Sequence, residues 1–210
     1  MKTFNYLLLL SALFFAVNSK GQSSTETKPA IASVKIGTQE WTAENLNVSA
    51  FRNGDPITEV KNQKEWKDAC YSKKPAWCYY KNDPKNGAKY GKLYNWWAVS
   101  DPRGLAPEGW HVATNNEWNI LVEYLGGFTT AGDAIKSCAA GTSTGLAAPM
   151  GGTREVFEEF YKGGERAYYW TSNEKNSSDA ILRMLSASNS FVYTYEYSKG
   201  YGMSVRCVKD

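Results

Sequence analysis

From Thr114 to Gly127 the apolar positions fall at helical spacing, with Trp118, Leu121, Val122 and Leu125 on one face. Thr114 and Glu117 stand three apart just ahead of that face. In this pattern a Thr hydroxyl caps the third amide and the Glu carboxylate returns to the cap's own amide. Gly126-Gly127 then stops the helix. KNQKEWKDACY repeats the pattern, with Asn62 as cap, Glu65 three residues on, and a short helix carrying Trp66 and Cys70. SVKIGTQEWT breaks at Gly37-Thr38, a hairpin signature in which glycine supplies the turn. WCYYK, GGTRE, AYYWTSN, AILRMLS, SFVYTYEYS and GYGMSVRCV read as strands, with RNGDPI and NDPKNG as turns. KYGKLYNWWAVS is apolar and aromatic with no clean polar face, so it belongs inside. From Ala131 the chain is rich in Gly, Ala, Ser and Thr until the later strands begin.

Alternation carries functional weight in SFVYTYEYS. Tyr193, Tyr195 and Tyr197 alternate with Thr194 and Glu196, so the three rings share one side of a strand. Tyrosine is apolar in body and polar at its tip, so the stripe is either core or a ligand platform. As a platform it offers rigid stacking faces and hydroxyls. As core, it would leave binding to the loops around Lys162 to Arg166.

Other chemistry is sparse. The single histidine, His111, lies in the extended lead-in to the Thr114 helix, and no nucleophile motif accompanies it. Its imidazole is expected to bond backbone at the strand-to-helix corner. GAKYGK is one residue short of a phosphate loop and has Leu93 where a Ser or Thr is needed. Glu158-Glu159 are adjacent in a Gly-rich loop, which does not place two carboxylates across a sugar.

Composition narrows the setting. MKTFNYLLLLSALFFAVNSKG has the basic start, apolar run and small-residue end of a cleavable signal peptide, so residues 1–21 are assigned to it. No cysteine lies near the cleavage point, so no lipoprotein anchor is expected, and no other stretch could span a bilayer. Residues 22–32 read as a linker and 33–210 as one domain. The 24 basic and 21 acidic side chains give +3, and loss of Lys2 and Lys20 with the leader leaves 22 against 21. That near-neutral balance argues against nucleic acid as partner. The 8 Trp, 14 Tyr and 8 Phe can fill a core with irregular backbone and still leave rings for contact. In an exported chain Cys70, Cys78, Cys138 and Cys207 read as disulfides, in any of three pairings. Their spacing is not that of a zinc motif, and no metal or cofactor is expected.

The blocks VKIGTQEWTAENLNV, PAWCYYKNDPKNGAKYGKLYNWWAV, LAPEGWHVATNNEWNILVEYLGG, APMGGTRE, YYWTSNE and YGMSVRCVKD run in the order of a known family. The chain resembles the Fibrobacter succinogenes major paralogous domain, found in secreted and surface proteins of Bacteroidetes and Fibrobacteres. GWHVATNNEW is also similar to a segment of the formylglycine-generating and sulfatase-modifying-factor group, with Ala113 in place of its proline. These resemblances imply an α+β, C-type-lectin-like domain with few helices, short twisted strands and long loops. The family pattern pairs Cys78 with Cys207 and leaves Cys70 for Cys138. The calcium motifs of true C-type lectins are absent, and AILRMLSAS lacks the cysteines that bind copper in the formylglycine-generating group. The expectation is a secreted, periplasmic or cell-surface binding module without enzymatic activity, for glycan or protein. A structural envelope component is the alternative, and a formylglycine-generating-like oxidoreductase stands behind both.

Overall fold

Gly37 takes φ +60°, a left-handed conformation natural to glycine, and turns β1 (Ser33–Ile36) into β2 (Gln39–Thr42). The computed structural model describes residues 31–136 and 144–210, and the predicted hairpin is its first element. The expected signal peptide, most of the linker and Cys138 lie outside the described residues.

After β3 (Thr58–Glu59) comes α1 (Gln63–Tyr71), where Asn62 accepts the Glu65 amide at 3.0 Å. Glu65 reaches back to the Lys61 amide at 3.1 Å, one residue earlier than a standard capping box. Trp66 and Cys70 are buried, as their spacing predicts. β4 (Ala76–Cys78) is shorter than the predicted WCYYK strand. The chain leaves the sheet at Tyr79 because a 3₁₀ turn over Tyr80–Asn82 rolls Tyr80 inward, where its hydroxyl accepts the Gly163 amide at 3.0 Å. α2 (Gly87–Tyr90), β5 (Leu93–Tyr94) and α3 (Trp96–Val99) follow, and every residue from Tyr90 to Val99 except Trp97 is buried.

β6 (Trp110–Val112) leads into α4 (Asn115–Tyr124) through the predicted capping box. Thr114 Oγ1 accepts the Glu117 amide at 3.1 Å, and Glu117 Oε2 accepts the Thr114 amide at 2.7 Å. α5 (Ala131–Lys136) arises in the small-residue stretch, which carries no helical signal. Its smallness is the reason it fits: the Gly132 amide donates to Ser190 O at 2.8 Å, and a Cβ on Gly132 would lie 2.5 Å from that oxygen. The remaining elements are β7 (Thr153–Arg154), β8 (Phe160–Tyr161), β9 (Arg166–Glu174), β10 (Asp179–Ser186), β11 (Val192–Ser198), β12 (Ser204–Val205) and β13 (Cys207–Lys209).

Two four-stranded sheets organise this α+β domain, in the orders β1-β2-β13-β6 and β11-β10-β9-β12. The second is buried on both faces along the middle of β9 and most of β10, and open at the edge strand β11. Tyr168, Trp170, Ala180, Leu182 and Met184 point into one cluster with Trp96, Trp110 and Tyr94. Ala167, Tyr169, Leu185 and Val192 point into another with Trp41, Trp118 and Leu121 of the first sheet and α4. A third cluster holds α1 against β4 and β5 through Trp66, Cys70, Cys78 and Leu93. Arg206, 2% exposed and just ahead of β13, ties that point to the end of β2 and to two loops by donating to Asn45 Oδ1 and Thr42 O, each at 2.7 Å, and to Leu146 O at 2.8 Å. Among the described residues no helix is long and apolar enough to cross a membrane.

Candidate functional site

β11 lies at the edge of its sheet and pairs only with β10, setting Tyr193, Tyr195 and Tyr197 opposite Met184, Leu182 and Ala180. Those three partners are core residues, so the tyrosines stand on the same face as the core but at its open margin. The choice between core and platform therefore divides within the stripe. Tyr193 and Tyr197 pack against the cluster, whereas Tyr195 is 38% exposed.

The rings hold one another. Tyr193 and Tyr195 are stacked, with centroids 5.8 Å apart and planes 14° apart, and Tyr195 to Tyr197 is 6.0 Å. The series continues to Phe191 and Phe128 at one end, 5.8 and 5.7 Å from Tyr193. At the other end Tyr197 meets Tyr201 at 5.3 Å and Tyr168 at 6.4 Å. Asn189 donates to the Tyr193 hydroxyl at 3.2 Å. Burial, with Tyr195 alongside, holds the Tyr197 phenol above its usual range, so it remains protonated and able to donate.

Arg166 borders this face from β9, two residues before Tyr168 and on the same side of the strand. Its guanidinium donates to the Tyr168 hydroxyl at 3.4 Å. Arg166, at the end of the Lys162 to Arg166 loop, thus connects to the tyrosine row through Tyr168, whose ring lies 6.4 Å from that of Tyr197. The 3.6-residue and two-residue periods that locate elements carry no sign of this convergence.

His111 departs from expectation. Its imidazole bonds no backbone at the corner and instead bridges two carboxylates, Nε2 to Glu117 at 2.6 Å and Nδ1 to Asp210 at 2.7 Å. Burial pulls its pKa down, but the hydrogen bonds to Asp210 and Glu117 outweigh that, and the value lies above the ordinary one. Both ring nitrogens are engaged, so neither can take a proton from a substrate in this arrangement. The cause is the capping box: Glu117 has a second oxygen to spare, and β6 places His111 beside it.

Residues 34–209 match the family model of the Fibrobacter succinogenes major domain. The chain belongs to this family. No curated protein matches it. In this Fibrobacter succinogenes major domain Cys70, Cys78 and Cys207 are free and buried, so the Cys78–Cys207 disulfide implied by the family blocks is not formed. Cys78 packs in the α1 cluster beside β5, whereas Cys207 pairs with Val112 of β6 in the cluster under the tyrosines. Cys70 donates from its thiol to Gly200 O at 3.2 Å rather than joining a bridge. Burial pushes all three thiols up to about 12, which keeps them protonated and poor nucleophiles. Among the described residues of the domain no group of three or more His, Cys, Asp or Glu could hold a metal ion.

Proposed function

We propose that this domain is an exported, non-enzymatic binding module of C-type-lectin-like fold that holds a glycan on the face made by Tyr193, Tyr195 and Tyr197. The observation that carries the reading is Tyr195, an exposed ring held between two rings that are anchored in the core. A ring already held on both sides loses little rotamer freedom when a ligand lands on it, which is what makes tyrosine effective on recognition surfaces. Sugars offer C–H surface to the rings and hydroxyls to the phenols, and both kinds of contact are available along the stripe. Absence of catalysis is supported by His111, whose nitrogens are both occupied, and by thiols that resist ionisation. Export is supported by the leader-like first 21 residues.

A structural envelope role with a protein partner is the second reading. It is favoured by the edge position of β11, whose Thr194 and Glu196 are exposed, since an open strand edge is where a partner strand adds. A glycan array with the wild type and Tyr195→Ala tests both. Binding that the substitution abolishes supports the module. A silent array, with envelope proteins captured in a pull-down that Thr194→Pro prevents, replaces it with the structural role.

A further inference from the structure

The lysines around the tyrosine face are paired with carboxylates. Lys162 pairs with Glu165 at 2.7 Å, Lys175 with Glu196 at 2.7 Å, and Lys199 with Glu174. Arg166 has no such partner: among the described residues no carboxylate lies within ion-pair reach of its guanidinium. Its side-chain hydrogen bond runs to the neutral Tyr168 hydroxyl at 3.4 Å, a long contact for this donor. The Tyr161 and Tyr197 phenols also act electrostatically on this guanidinium, as does the Lys162 ammonium. The position is held by backbone, since the Arg166 amide donates to Lys162 O at 2.9 Å and its carbonyl accepts the Gly152 amide at 2.8 Å.

An unpaired guanidinium at the margin of a row of rings is complementary to one kind of ligand. It presents a planar fork that matches a carboxylate, and the rings beside it present stacking surface. We infer that the face takes acidic polysaccharide, with uronate rings against Tyr195 and Tyr197 and a uronate carboxylate on Arg166. An acidic peptide supplies the carboxylate too, but its flexible chain lacks the row of flat C–H faces that a row of three tyrosines fits. The inference rests on the glycan reading of this face and specifies its ligand class.

The test is titration of the purified protein with polygalacturonate, polymannuronate and hyaluronan, and with each polymer after methyl esterification, which keeps the sugar and removes the charge. Wild type is expected to bind at least one acid form roughly tenfold more tightly than its ester. Arg166→Gln should lose that preference and keep ester binding, Tyr195→Ala should lose both, and Lys162→Gln should change neither. Equal binding of acid and ester by wild type, or a preference that survives in Arg166→Gln, overturns the inference and leaves the glycan reading standing. Failure of the folded protein to bind any of the six polymers or a neutral glycan array overturns both. Binding of polyglutamate as tight as that of the uronates would replace the polysaccharide with an acidic peptide.

Discussion

Glu117 and His111 lie 2.6 Å apart, and the same carboxylate caps α4 through its other oxygen. One side chain thereby ties the start of a helix to the strand before it. Asp210 takes the second ring nitrogen, so the clamp also reaches the strand β13, which pairs with β6.

The clamp sets a pH dependence. The folded-state pKa of His111 is raised, so the stability it contributes is fully present below the ordinary histidine value of about 6.5 and is lost as pH rises through the folded value. Melting of wild type and His111→Gln should differ most near about pH 5.5 and converge by about pH 9. A gap of equal size at both ends would show that the imidazolium contributes nothing.

Tyr195→Ala and Tyr193→Ala should separate. Tyr195 is 38% exposed, so its loss should cost under about 1 kcal/mol, whereas Tyr193 packs on the core and against Phe128 and should cost about 2 kcal/mol. Urea unfolding of the two variants measures this. Equal costs would mean that the stripe is not divided between core and solvent.

Arg206→Leu should destabilise by about 3 kcal/mol or more, because Asn45 Oδ1, Thr42 O and Leu146 O would lose a charged donor in a buried place. Arg206→Lys should recover only part of the loss, as an ammonium lacks the fork that spans three acceptors. Denaturant midpoints compare them. A leucine variant as stable as wild type would show the three acceptors finding other donors.

Native-state alkylation near about pH 8 should leave Cys70, Cys78 and Cys207 unlabelled, since burial holds their pKa up to about 12. All three should label once the protein is unfolded without reductant. Peptide mapping that finds any of them protected by a disulfide under those conditions contradicts the free-thiol state.

Much of this domain is readable locally. The hairpin at Gly37, the Asn62 cap, the Thr114–Glu117 box and the strands over Arg166–Glu174, Asp179–Ser186 and Val192–Ser198 follow from spacing, because caps, turns and alternation depend on residues a few positions apart. α5 escaped because its residues are chosen for closeness to Ser190 rather than for amphipathic period, and the shortened β4 because Tyr80 is claimed by Gly163, far along the chain.

The candidate site divides in the same way. Alternation alone places Tyr193, Tyr195 and Tyr197 on one side of a strand. That β11 is an edge, that only Tyr195 reaches well into solvent, that Arg166 joins the face, that His111 meets Asp210 and that Cys78 and Cys207 fall in different clusters were decided by the tertiary structure. Each depends on which strand lies beside which, and strand order is set by packing the sheets and helices around shared aromatic clusters, a choice made among residues dozens of positions apart.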